Sequence, residues 1–201
     1  MGINENSWEY LSSYWDASDC QLITNSGFGD ISLEFSNVGT FEQDIKEANS
    51  ILEIGPGSGG CITRISQLYP NKNLSITDIA KAQLDRINID GLNKYIFLDL
   101  PENIADVIYF HLVLQHVPKN LSQEFFQLVY KALKPKGKLY FQYIVAIDYE
   151  KTKQLMTSGT ILYLDSELLK LLINLGFHPK KIAKIPINNV LYWWGYCHAT
   201  K

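Results

Sequence analysis

Ser50-Ile51-Leu52-Glu53-Ile54-Gly55-Pro56-Gly57-Ser58-Gly59-Gly60 is the stretch whose reading decides the fold. Its first five residues form a short, mostly apolar run that stops at a glycine cluster, as a strand buried on both faces of a parallel sheet does. Beyond Gly60, Ile62, Ile65, Leu68 and Tyr69 recur at helical spacing until Pro70, which cannot continue a helix. The order is therefore strand, glycine loop, helix. Glycines at such a turn let the backbone bend sharply and let a ligand approach where a Cβ would collide. The helix that follows offers unpaired N–H groups to an anion, whether a phosphate or the carboxylate of an amino acid.

Working outward, the alternation repeats. Residues 74–77, 95–98, 106–110 and 138–145 read as further strands, and Leu84 and Ile87 mark a helix between the first two. Asn120, three residues before Gln123, resembles a capping box opening a helix whose Phe125, Phe126, Val129, Tyr130 and Leu133 share one face. Pro135 and Gly137 close it. Asp165 is expected to cap a helix carrying Leu168, Leu169, Leu171 and Leu172, which Gly176 ends. Residues 181–187 and 190–200 are β-prone runs separated by Asn188-Asn189, the length and chemistry of a tight hairpin. The expectation is an α/β fold: a doubly wound, mostly parallel seven-stranded sheet with a C-terminal antiparallel hairpin and ligands at the carboxyl ends of its strands. Residues 1–48, rich in aromatics and interrupted by Gly27, Gly29 and Gly39, read as an N-terminal cap or lid with one short helix around Trp8 to Trp15. Residues 49–201 read as the core, and the whole as one domain.

The glycine loop alone does not name its ligand, because Gly55, Gly57 and Gly60 also satisfy the G-x-G-x-x-G pattern of dinucleotide-binding folds. Two acids sharpen it. Asp78 near the end of the second strand can accept from both hydroxyls of a ribose, and Asp99 at the end of the third can accept from an adenine amino group. Glu53 is placed to face an ammonium group of the ligand, directly or through water. Three strand ends would then hold three parts of one nucleoside.

With these residues in view, residues 51–59 resemble the first motif of class I S-adenosylmethionine-dependent methyltransferases. Asp106-Val107-Ile108-Tyr109-Phe110-His111-Leu112-Val113-Leu114-Gln115-His116-Val117-Pro118 is similar to that superfamily's fourth-strand motif, in the branch typified by ubiquinone and menaquinone biosynthesis. Leu133-Lys134-Pro135-Lys136-Gly137-Lys138-Leu139 is similar to the segment entering its fifth strand. The resemblance implies a Rossmann-like methyltransferase fold and S-adenosyl-L-methionine as cofactor. It implies cofactor contacts at Glu53, Gly55, Pro56, Gly57, Gly59, Asp78, Ile79, Asp99, Leu100 and His111. The chemistry implied is methyl transfer to a hydroxyl, amine or carbon of a small molecule by in-line displacement, with no metal required. The sequence departs from the family between Asp99 and Asp106, where the loop is shorter than usual.

If the acceptor is a hydroxyl, a general base helps, and imidazole titrates in the right range. His111 and His116 are the candidates, one at the end of the fourth strand and one in the loop beyond. Trp8, Tyr10, Tyr14, Trp15, Tyr192, Trp193 and Trp194 are candidates for an acceptor wall, against ordinary core and strand packing. His178 and His198 lack ligand spacing to acids or cysteines, so no metal site is expected.

Bulk properties narrow the class. At 46% hydrophobic and 19% charged residues the chain has the profile of one soluble globular domain. A net charge of -3, without a basic run, argues against nucleic acid as substrate, as does the absence of an Asp/Asn-Pro-Pro-aromatic motif after the fourth strand. Cys20, Cys61 and Cys197 lie far apart with no C-x-x-C spacing, which fits a reducing cytoplasm. No basic-then-apolar start marks a secretory signal, Asn6 stands where a myristoylation motif wants Ser or Thr, and no apolar run approaches a membrane span. Two rivals share the glycine loop: a nicotinamide-dependent oxidoreductase, and a binding or scaffold protein that keeps the fold without turnover. Oligomeric state is not written in the sequence.

Overall fold

In the computed structural model, which describes residues 7–17, 28–146, 160–186 and 192–201, helices cover both faces of one sheet. The strands are β1 (Ser50–Ile54), β2 (Asn73–Asp78), β3 (Asn93–Ile96), β4 (Ala105–Phe110), β5 (Leu133–Ala146), β6 (His178–Pro186) and β7 (Tyr192–Thr200). They stand in the order β3-β2-β1-β4-β5-β7-β6. The pairs β3/β2, β2/β1, β1/β4 and β4/β5 are parallel, and β7 is antiparallel to both β5 and β6. This is the expected seven-stranded, mostly parallel sheet. The antiparallel pair differs in one respect: its second strand lies inside, against β5, and its first forms the edge. The expected turn at Asn188-Asn189 lies outside the described residues.

The helices are α1 (Trp8–Ala17), α2 (Phe28–Phe35), α3 (Phe41–Glu47), α4 (Gly60–Leu68), α5 (Lys81–Asp85), α6 (Ser122–Ala132) and α7 (Asp165–Asn174). Strand alternation feeds two cores. Leu52, Ile54, Ile108 and Phe110 point to the face covered by Phe125, Phe126 and Val129 of α6 and Leu168 and Leu172 of α7. Ile51, Val107 and Tyr109 point to the other, covered by Phe35 of α2, Phe41 and Ile45 of α3 and Ile62 and Ile65 of α4. Each such buried side chain contributes about 1.5–3 kcal/mol. The first 48 residues thus divide, with α2 and α3 packed into the core and α1 lying across the carboxyl ends of the strands.

Several local expectations are corrected. Leu121, not Asn120, caps α6, and no side-chain cap bond forms there; instead Ser122 Oγ donates to the carbonyl of Lys119 at 2.7 Å. Asp165 is the first helical residue of α7 and not its cap, because its carboxylate is taken by Tyr143 Oη and Lys184 Nζ, each at 2.8 Å. β3 stops at Ile96, and residues 97–99 form a 3₁₀ turn, so Asp99 is not a strand end. α5 ends at Asp85, before Ile87. Gly176 does end α7: at φ +94° it lets its own N–H reach Ile173 O and that of Phe177 reach Leu172 O, both at 3.0 Å. Among the described residues no helix is long and apolar enough to cross a membrane.

Candidate functional site

Gly55, Gly57 and Gly59 sit at φ +64°, +53° and +76°, in the left-handed region that L side chains rarely adopt. At Gly55 a Cβ would stand 2.5 Å from Val113 Cγ2, so the loop is bare where it meets the segment after β4. Beneath it lies Glu53, 5% exposed. Burial pushes the Glu53 carboxyl up to about 8, against hydrogen bonds from Tyr109 and the N–H of Ile62 that pull it down. Ile62 belongs to the first turn of α4, whose cap Gly59 has no side chain, so Glu53 supplies an acceptor there from below. Its Oε2 has no partner among the described residues.

The carboxyl ends of β1, β2 and β4 open into a cleft. Ile54, Gly55 and Gly57 form its floor, with Asp78, Ile79 and Gln83 on one side and His111, Leu112, Val113, His116 and Val117 on another. Phe97 and Phe125 close its back, and Trp8, Leu11 and Trp15 of α1 lie across it. Of the residues expected to contact the cofactor or move a proton, Gly55, Gly57, Asp78, Ile79, His111 and His116 are brought together here. The other five stand off the wall. Glu53 is beneath the loop, Pro56 is buried with its carbonyl accepting from Gly59 N at 2.8 Å, and Gly59 is occupied in starting α4 against Ile87. Asp99 is exposed at the end of its 3₁₀ turn, Leu100 packs on the core, and Phe97 holds the place facing the cleft from that segment.

Asp78 accepts from the N–H of Ala80 at 2.9 Å. Burial raises its pKa to about 6, partly offset by the N–H groups of Ala80 and Ile79 and helped by Asp16. Asp16 arrives on α1, which is fastened to this side of the cleft by three bonds. Ala82 N donates to Asp16 Oδ1 (2.9 Å), Gln83 Nε2 to Trp15 O (2.7 Å), and Ser12 Oγ to Ile79 O (3.1 Å). On the other side Trp8 Nε1 donates to Glu124 Oε2 of α6 at 2.8 Å. Trp8 and Trp15 therefore line the cleft, whereas Tyr10 and Tyr14 stack on each other and Trp193 and Trp194 pack against the core clusters. The side chain of Tyr192 lies outside the described residues.

The two histidines are held differently. His111 Nε2 lies 2.6 Å from Glu34 Oε2, and Tyr196 Oη donates to the same oxygen at 2.9 Å. Burial opposes the Glu34 charge, but the hydrogen bond and charge of His111 and the bond from Tyr196 outweigh it and hold the carboxyl below its usual range. His116 packs edge-on against Trp15 with ring centroids 5.0 Å apart, and its Nε2 lies 3.3 Å from Gln115 Nε2. Burial pushes its pKa down. Between them Leu112 adopts φ +58°, with its N–H donating to Gln142 Oε1 at 3.0 Å. Among the described residues no group of His, Cys, Asp and Glu is clustered to hold a metal ion. Sequence reasoning missed Glu34, Gln83, Phe97 and Gln142. Only Gln83, five residues after Asp78, carried a positional hint.

Residues 32–178 match the family model described as "Methyltransferase domain". A stretch of 105 residues is 32% identical to phosphoethanolamine N-methyltransferase of Plasmodium falciparum (isolate 3D7), covering 48% of this chain and 39% of that protein. The chain thus spans less than half the length of the curated relatives it matches. Among solved structures, geranyl diphosphate C-methyltransferase from Streptomyces coelicolor A3(2), in complex with Mg2+, geranyl diphosphate and S-adenosyl-L-homocysteine, superposes with a TM-score of 0.72. The match covers 96% of this chain and 97% of that one at 12% identity. A protein from Galdieria sulphuraria, described as a sarcosine dimethylglycine methyltransferase, gives 0.71 at 14% identity, covering 86% and 84%. Both likenesses are of fold.

Proposed function

The chain belongs to the methyltransferase-domain family, and from that premise we propose that it binds S-adenosyl-L-methionine in the cleft and transfers a methyl group to a small molecule. The observation that carries the reading is the meeting, in one cleft, of a bare left-handed glycine loop and the half-buried carboxylate of Asp78. The residues present fit the cofactor: Gly55 and Gly57 present left-handed backbone without side chains, Asp78 offers acceptors, and Ile79, Phe97 and Val113 offer apolar cover. When bound, S-adenosylmethionine supplies a methyl group on a sulfonium, which is already a good leaving group. The protein's share is then positioning and exclusion of water. Gly55 and Gly57 and the first turn of α4 orient, Asp78 anchors, and α1 covers. One of His111 and His116 is proposed to take a proton when the acceptor is a hydroxyl.

The same proposal extends to a single domain over residues 1–201, supported by two cores that share one sheet. It includes a cytoplasmic setting, supported by the free, buried thiols Cys61 and Cys197, and a small-molecule acceptor rather than nucleic acid or membrane. Placement in the quinone-biosynthesis branch is supported by residues 106–118 alone. Calorimetry with S-adenosylmethionine, its demethylated product and NAD tests the cofactor. The first two are expected to bind and NAD not; binding of NAD alone, or of none, overturns the reading. Asp78→Asn should weaken cofactor binding about ten- to a hundredfold, the effect of losing hydrogen bonds to a charged acceptor. A screen of labelled methyl transfer into metabolite extract identifies the acceptor.

A further inference from the structure

The cleft holds two imidazoles, and a charged partner sets the tautomer of one. Glu34, kept ionised, can only accept, so the nitrogen 2.6 Å away, His111 Nε2, must donate. In the neutral ring that leaves Nδ1 with its lone pair, and no partner for Nδ1 is recorded among the described residues. His116 meets only the side-chain amide of Gln115, 3.3 Å from its Nε2, and an amide can serve either tautomer. His111 is the ring that a charged partner sets to accept.

We propose that Glu34, carried by α2 some 77 residues before its partner, is a positioning residue that makes His111 the proton-accepting histidine of the cleft. This rests on the reading of the cleft as a methyl-transfer site, but the Glu34–His111 linkage does not. Tyr196 Oη fixes the carboxylate from β7, and Gln142 on β5 fixes the backbone just past His111 by holding the Leu112 N–H. The ring is therefore tied at both its side chain and its main chain. The titratable groups that face it are Glu34 from α2, Tyr196 from β7 through that same oxygen, and Asp78 and His116 across the cleft; β5 contributes uncharged Gln142, and α2 also the Phe35 ring. In use, with a methylsulfonium bound, the substrate X–H bond would give its proton to His111 Nδ1 and its electron pair to the new bond from X to the methyl carbon, while the methyl–sulfur bond would break and leave its pair on sulfur as a neutral thioether. Glu34 compensates the imidazolium so formed without itself taking the proton.

The test is the imidazole ¹⁵N spectrum of the full chain and of Glu34→Gln and Tyr196→Phe at alkaline pH, where an imidazole is neutral, with turnover measured alongside. In the parent, His111 should show its proton on Nε2. In Glu34→Gln, whose amide can donate or accept, that single tautomer should give way to a mixture. Tyr196→Phe, which keeps the carboxylate, should keep the proton on Nε2 and serves as the control for lost packing. The kcat of Glu34→Gln should fall about ten- to a hundredfold with the KM for cofactor little changed. A parent His111 with its proton on Nδ1, or the same single tautomer in Glu34→Gln and parent, overturns the proposal whether or not the chain methylates anything. Absence of methyl transfer with the spectral shift present overturns the catalytic reading and leaves the linkage standing.

Discussion

At Gly55 one hydrogen atom separates an open cleft from a closed one. Gly55→Ala would place a methyl group 2.5 Å from Val113 Cγ2 on a backbone at φ +64°. The left-handed conformation by itself costs about 1–2 kcal/mol for a residue with a Cβ, so the melting temperature should drop by roughly 2–8 °C. Displacing Val113 also moves the cleft wall, so calorimetry should show cofactor binding lost. Adding Val113→Ala should restore part of the affinity but not the stability, which separates the steric effect from the backbone one. Asp78 and the glycines were legible in the sequence because each follows an apolar run that announces a strand. Glu34 was not, because its meaning comes from His111 and Tyr196, which tertiary structure brings to one oxygen. Asp99 misled for a related reason: an acid after an apolar run reads as a strand end, but the chain has already turned at residues 97–99 and presents Phe97 instead.

Among the seven described helices, α1 is the one held by the least core. Its single buried residue is Leu11, whereas α4 buries Cys61, Ile62 and Ile65. Its place depends on bonds to Ile79, Ala82, Gln83 and Glu124, all of them outside the helix. Hydrogen exchange should therefore be faster in α1 than in α4 and should slow most in α1 when S-adenosylhomocysteine is added. Gln83→Ala, which frees the Trp15 carbonyl, should weaken cofactor binding about two- to tenfold; unchanged exchange in α1 on ligand addition would show that the helix covers nothing. The helix itself could be read from spacing, but not where it docks. The cap expected of Asp165 failed because a carboxylate near a helix start has rivals for its hydrogen bonds, and here Tyr143 and Lys184 win.

For the molecule as a whole, the buried carboxyl of Glu53 links stability to pH. Its ordinary value is 4.5 and burial raises it to about 8, so between these limits the folded chain keeps a proton that the unfolded chain has released. The folded state then binds more protons, and stability falls as pH rises through that window. Glu53→Gln removes the titration and keeps the shape. Thermal melts of the two chains should converge near pH 4 and diverge with rising pH, the variant being the more stable at pH 8; parallel curves would show that Glu53 is ionised in the fold. Asp78 acts in the same direction up to about 6, so the variant retains some slope below that value.

The sheet order carries a consequence for how the protein is made. β6 pairs in the sheet with β7, and β7 stands between β6 and β5. A ribosome delivers β6 first, with no docking place until the later strand emerges. Until then the flank of β5 is an open template of unpaired amides on a nascent chain. Stalled or truncated translation products that stop short of β7 should be the species that chaperones capture and that aggregate.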